Sequence, residues 1–184
     1  ALVLLVGPAG SGKSTFARAH FGPTQVVSSD FCRALVADEE DDQSASPAAF
    51  EVLYLVVRHR LRRRRLTVVD ATNVDPVQRR QLLRLARAPG TPVVAVVFDL
   101  PEEVCVERDG GRPGRSVGPA VIHAQRERML RWLPAMDLEG FTAVYRLGSA
   151  VELDCATVVA RGAPSPQPSL RRGVGGLSEE EGDP

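Results

Sequence analysis

The chain has 184 residues, 43% of them hydrophobic and 25% charged, and its 23 basic side chains are balanced by 23 acidic ones. That length and composition describe one globular domain with a real core, and exclude a disordered polyelectrolyte or a collagen-like repeat. A net charge of zero gives no global field to announce nucleic acid or membrane, and no stretch is long and apolar enough to cross a bilayer. In chain order, residues 2–6 (Leu-Val-Leu-Leu-Val) read as a buried strand of a parallel sheet. They run into Gly7-Pro8-Ala9-Gly10-Ser11-Gly12-Lys13-Ser14-Thr15, the G-x-x-x-x-G-K-S pattern of a phosphate-binding loop, with a helix over residues 15–20. Gly7, Gly10 and Gly12 let the backbone turn tightly and approach an anion. The loop's N–H groups, with those of Ser11 and Thr15 among them, and the positive end of the helix would surround the phosphates. Lys13 would reach the β- and γ-phosphates of ATP or another NTP, and the Ser14 hydroxyl would hold Mg²⁺ or Mn²⁺. Lys13 is the only lysine in the chain; every other cationic side chain is arginine. The one position that keeps an ammonium is the one where a slim, flexible cation does what a planar guanidinium does not.

A second short strand at 25–27 leads into Ser28-Ser29-Asp30-Phe31-Cys32-Arg33, and residues 38–46 read as a polar surface loop. Ser46-Pro47 gives an N-cap and a first-turn proline for a helix from 48 to about 65, with Phe50, Leu53, Tyr54, Val57 and Leu61 as its core stripe. Its last turns carry Arg58, Arg60, Arg62, Arg63, Arg64 and Arg65, a basic counterpart to the acidic run at 38–42. Residues 66–70 form the next strand and pass into Ala71-Thr72-Asn73; Asp75-Pro76 caps the following helix. The most apolar strand lies within 92–100, a helix follows over 101–108, and Gly110, Gly111, Pro113 and Gly114 break it. Pro119 starts a helix towards Trp132, residues 143–147 make a last strand, and 149–160 are of uncertain type.

Strands alternating with helices predict an α/β fold, a mostly parallel sheet with helices on both faces and ligands at the carboxyl ends of the strands. That rule gathers residues 7–14, 28–33 and 70–73 into one cleft. Phosphoryl transfer to a hydroxyl also needs a base, cationic charge on the phosphoryl oxygens and exclusion of water. Asp30 is placed to be the base or, equally, to cap the helix behind it. Arg33, at i+3, can address a phosphate from the same side, or form a salt bridge to Asp30 or to the acidic run. Arg108, Arg112 and Arg115 flank a Gly/Pro-rich segment that is either a closing lid or a solvated turn. Asp70 reads as a Walker-B-type acid acting on the metal through water, or as a hydrogen-bond acceptor for the loop backbone.

Together the loop, the S-S-D-F-C-R block, L-T-V-V-D-A-T-N at 66–73, V-A-V-V-F-D-L-P-E at 94–102 and the spaced arginines 108, 112 and 115 resemble the N-terminal kinase domain of bacterial RNA-repair polynucleotide kinase–phosphatases, akin to phage polynucleotide 5′-kinase. The resemblance covers about residues 1–160. It implies a P-loop kinase fold with an arginine-bearing lid and ATP-dependent phosphorylation of a 5′-OH end of RNA, and of DNA, in end-healing repair. Asp30 would be the general base, Arg33 would hold the acceptor-side phosphate, and the lid arginines would hold the donor phosphates. It also implies homodimers and further end-healing domains in the same polypeptide. Residues 1–161 are then the kinase domain, and 162–184, rich in Pro, Gly and acidic residues, a linker to a phosphatase domain.

Rival readings are a P-loop kinase of a small-molecule hydroxyl (nucleoside, sugar or antibiotic) and a non-catalytic ATP-binding switch. A groove for the nucleic-acid backbone would separate the first, and Arg33 with arginines 62–65 is the candidate for it. Cys32, Cys105 and Cys155 are far apart and odd in number, which excludes a disulfide framework and fits a reducing cytoplasm. The first residue is Ala1 rather than Met, so a fragment of a longer protein is expected.

Overall fold

The computed structural model of the protein describes residues 1–111 and 116–159. Arg112, Arg115 and the tail expected at 162–184 lie outside the described residues. Five strands, β1 (Leu2–Val6), β2 (Val26–Ser28), β3 (Thr67–Asp70), β4 (Val93–Phe98) and β5 (Ala143–Leu147), form one sheet in the order β2-β3-β1-β4-β5. Every pairing is parallel, with Leu2 opposite Thr67 on one side and Val93 on the other. The expected α/β architecture is therefore present, with β1 at the centre.

Alternation along β1 explains the two faces. Leu2, Leu4 and Val6 point into one core, formed with Leu53, Val57 and Leu61 of α3 (Ser46–Arg62), Leu82 and Ala86 of α4 (Pro76–Arg87) and Met129 of α6 (Pro119–Trp132). Val3 and Leu5 point into the other, with Phe16 and Ala17 of α1 (Lys13–His20) and, at its edge, Leu153 of α7 (Ala150–Cys155). A central strand apolar on both sides has no polar face to present, which is why its sequence shows no alternation. The chain leaves β1 towards the β2 edge, returns through β3, and only then crosses to β4. That reversal of direction beside β1 opens the crevice at its carboxyl end.

Several element ends differ from the sequence expectation. α3 begins at Ser46 itself, and its N-cap is Ala45, with no side-chain cap. The chain arrives already wound through a 3₁₀ turn, Gln43–Ala45, whose own cap is Asp42, accepting from Ser44 N–H at 2.9 Å. The same helix stops at Arg62. Arg64 takes a left-handed φ of 54° and Arg65 N–H bonds back to the Arg60 carbonyl at 3.0 Å, reversing the chain into β3. α5 (Glu102–Gly110) starts one residue later and ends two residues further than the expected 101–108. The uncertain segment after β5 is the short helix α7, capped by Ser149, which accepts from Glu152 N–H.

This polarity sets where the basic end of α3 lies. α3 starts at the cleft, where Ser46 and Phe50 line the cavity. The sixteen steps between its 17 residues, at 1.5 Å rise each, carry its end about 24 Å away, to the amino-terminal edge of the sheet. Arginines 62–65 therefore stand about 24 Å from the cleft, not beside Arg33.

Candidate active site

The phosphate loop is held by backbone contacts rather than by side chains. Gly7 N–H donates to the Thr72 carbonyl at 2.9 Å, tying the loop to the segment after β3. A Cβ on Gly7 would lie 3.0 Å from Phe98, and one on Gly10 only 2.0 Å from the Cys105 carbonyl of α5. At these two positions the glycine makes room for protein, whereas the sequence argument assigned that room to an anion. Gly12, at φ 92°, turns the chain into α1. Lys13 is buried; its ammonium donates to the Pro8 carbonyl at 2.6 Å and to Ser11 Oγ at 3.2 Å, so it lies over its own loop. Ser14 is half-buried and Thr15 exposed behind it.

Lys13, Ser14, Asp30, Arg33 and Asp70 all line one cavity of about 500 Å³. Asp30 sits in the first turn of α2 (Ser29–Ala37), and the residue that caps this helix is Ser28, accepting from Phe31 N–H. Asp30 is thus not the helix cap. Its carboxylate accepts from the Arg33 guanidinium, and Arg33 Nε donates to the Glu40 carbonyl at 2.7 Å. The salt bridge to Asp30 that the i+3 spacing allowed is formed. Burial weakens the hold of Arg33 on its proton, and the carboxylates of Glu40, Asp41 and Asp42 partly offset that. Asp70 is 7% exposed at the end of β3, and no hydrogen bond reaches its carboxylate from the described residues. The alternative role as acceptor for the loop backbone is not realised. Ser14 and Asp70 also line a second depression, entered beside Asp30 from the α1 side.

Arg108 is exposed on the last turn of α5, with Nη1 3.4 Å from where a Cβ on Gly12 would stand. Of the three arginines expected in a lid it is the one within the described residues, and it lies against the phosphate loop. Three further side chains have roles that the sequence reading does not assign. Buried Asp109 accepts through one oxygen from Ser116 Oγ, Val117 N–H and Gly118 N–H, at 2.8, 2.9 and 3.1 Å. It clasps together the two ends of the segment expected to be the lid. Gln125 of α6 accepts from Ala9 N–H at 2.8 Å, holding one loop donor. Asn73, fully buried at φ 49°, donates to the Leu5 carbonyl at 2.7 Å and locks the exit of β3 to β1. Each partner is more than five residues away in sequence, so no local spacing exposes the pair. Cys105, fully buried beneath the loop, has its thiol pKa pushed up by that burial, against the pull of Lys13 and Arg108.

A family model described as an AAA domain matches residues 2–136. The chain belongs to that AAA-domain family. The Arabidopsis thaliana protein named Transcription factor bHLH140 is 29% identical to this AAA domain over 159 residues, covering 84% of the chain and 17% of that protein. The chain thus spans about a sixth of the curated relative it matches. Among solved structures, a chain of the Pnkp1/Rnl/Hen1 RNA repair complex superposes with TM-score 0.64 at 24% identity, over 74% of this chain and 46% of that one. The Mycobacterium tuberculosis APS kinase CysC, solved with AMPPNP and APS, superposes with TM-score 0.52 at 18% identity, over 83% and 90%. Through these likenesses the AAA domain has the P-loop kinase fold. Among the described residues no helix is long and apolar enough to cross a membrane.

Proposed function

We propose that this AAA domain transfers the γ-phosphate of ATP, or of another NTP, to the 5′-OH end of RNA, and of DNA, in end-healing repair. The observation that carries the reading is the Asp30–Arg33 pair in the same cavity as Lys13 and Ser14. A nucleotide-binding switch has no use for a carboxylate fixed by a guanidinium across from the phosphate loop. In the step, the acceptor O5′ attacks the γ-phosphorus while the bond from that phosphorus to the β-γ bridging oxygen breaks. The hydroxyl proton passes to the Asp30 carboxylate, and the products are ADP and a 5′-phosphate end. Arg33 fixes the direction of Asp30 and supplies charge for an acceptor-side phosphate. Lys13, the loop N–H groups and Arg108, with Arg112 and Arg115, hold the donor phosphates and stabilise charge on the moving group. The Ser14 hydroxyl and the unpartnered, buried Asp70 carboxylate fit a hydrated Mg²⁺ or Mn²⁺ in the cavity between them. Such an ion would neutralise the donor phosphates.

The choice of a polynucleotide acceptor is supported by the S-S-D-F-C-R and D-A-T-N blocks and by the similarity to the RNA repair complex chain. As parts of the same reading, the domain acts in the cytoplasm, as a homodimer, within a larger end-healing enzyme. A single small-molecule acceptor is the second reading, and the observation favouring it is that Phe50, Gln78 and Val121 also line the cavity, beside the polar groups.

The deciding experiment supplies γ-labelled ATP with Mg²⁺, and compares a short 5′-OH oligonucleotide with the same strand already 5′-phosphorylated. Label on the 5′-OH strand alone, lost in Asp30→Ala with nucleotide binding kept, is expected. Label on neither strand, with ATP still bound, overturns the polynucleotide reading in favour of a small acceptor or a switch.

A further inference from the structure

α4 leads away from the cleft. Its first turn contributes Gln78 to the cavity wall, and its inner side buries Leu82, Leu83 and Ala86. Arg80, Arg84 and Arg87, at i, i+4 and i+7, are all exposed and form one ridge on its solvent side. α3 packs beside it and runs the same way, and Arg62, Arg63, Arg64 and Arg65, all exposed, stand at its far end. None of these seven arginines forms an ion pair with any described carboxylate. The mouth of the cleft on the α2 side has the other sign. Glu40 and Asp41 line the cavity on the α2 side, within the acidic run at 38–42. Zero net charge thus conceals two regions of opposite sign, an acidic one at the cleft and a basic one leading away from it, and a polyanion is repelled from the first and attracted along the second.

We propose that the α4 ridge and the turn at 62–65 form a sequence-independent track for the strand downstream of the acceptor end. This rests on the polynucleotide reading above. Stacked nucleotides advance about 3.4 Å each, so a track about 24 Å long engages roughly seven nucleotides beyond the terminal one. The surface recognises phosphates, not bases: arginines on a solvent-facing ridge with no aromatic platform neutralise charge and release counterions.

The test compares a 5′-OH trinucleotide RNA with a 5′-OH 20-mer, using the wild-type chain, Arg80→Gln/Arg84→Gln/Arg87→Gln, Arg62→Gln/Arg63→Gln/Arg64→Gln/Arg65→Gln, and the matching lysine versions. For the 20-mer, KM should rise about tenfold in each glutamine variant with kcat unchanged. The slope of its log KM against log salt should fall by about 0.7 for each phosphate no longer neutralised. The trinucleotide, too short for the track, should be used equally well by every variant, which also reports a correctly folded site. Lysine versions should keep wild-type KM, because the track needs charge rather than planar forks. An unchanged 20-mer KM and salt slope, an equal loss on the trinucleotide, or lysine versions as weak as the glutamine ones each overturn the track. A wild-type chain that phosphorylates neither strand instead overturns the polynucleotide reading beneath it.

Discussion

The two sides of the cleft are built from different materials. On the donor side the phosphate loop is made of backbone: glycines pressed against Phe98 and the Cys105 carbonyl, and a lysine folded onto the Pro8 carbonyl. On the side proposed for the acceptor the geometry is made by side chains: Asp30 is joined to Arg33, and Arg33 to the carbonyl of an exposed loop residue, Glu40. A site made of backbone fails when anything is added. One made of side chains fails when something is removed or shortened.

Substitutions can break that contrast or sharpen it. The largest effects are expected from Lys13→Ala and Asp30→Ala, each lowering the transfer rate by about three orders of magnitude. They should differ in calorimetry, where only Lys13→Ala weakens nucleotide binding; loss of binding in Asp30→Ala would make Asp30 a structural residue. Gly10→Ala comes next. A Cβ 2.0 Å from the Cys105 carbonyl must displace α5, at a cost of about 3 kcal/mol or more, read as a fall in denaturation midpoint. A stability equal to wild type would show that α5 does not rest on the loop. Arg33→Lys keeps the charge but not the fork holding both Asp30 and Glu40, so kcat should drop about tenfold with the melting temperature nearly unchanged.

Asp109→Ala opens the clasp on Ser116, Val117 and Gly118, of which Ser116 and Val117 line the cavity, without removing a cavity-lining side chain. A several-fold rise in the KM for ATP is expected, and an unchanged KM would detach that segment from donor binding. The smallest effect concerns thiols. Cys155 is exposed and should be alkylated first, with Cys32 and Cys105 protected by burial. Burial raises both of their pKa values above the ordinary 9.0, so the folded chain keeps protons that the unfolded chain releases. Their contribution to stability is therefore complete at neutral pH and declines as pH rises through about 9, measurable as a falling midpoint in alkaline buffer.

Much of the donor side was legible in sequence because its logic is contiguous. Strand, glycine loop and helix lie within twenty residues, and the apolar runs of β1, β3 and β4 announce a doubly covered parallel sheet. Asp30 and Arg33 were legible as neighbours for the same reason, being one helical turn apart. What stayed hidden depends on partners distant in the chain. The bonds from Gln125 to Ala9 and from Asn73 to Leu5 span 116 and 68 residues, and only the folded sheet brings them together. Arg79, 1% exposed, belongs with these: it binds Glu139 through Nε at 2.8 Å and the Asn73 carbonyl through Nη1 at 2.9 Å. An arginine in the middle of α4 gives no local sign that it faces inward. The arginines at 62–65 teach the opposite lesson. Their distance from the cleft was implicit in the length of α3, since a helix that begins at a site and runs five turns must end far from it.

The empty place where a side chain would be on Gly10 has one more consequence. Two backbones, the phosphate loop and α5, touch there with no flexible atoms between them. Cushioned contacts absorb small displacements, whereas a bare one transmits them. α5, with Arg108 on its last turn, therefore takes its position from the loop, and a shift of one backbone displaces the other. Exchanging α5 for another helix would mean transplanting the loop that seats it as well.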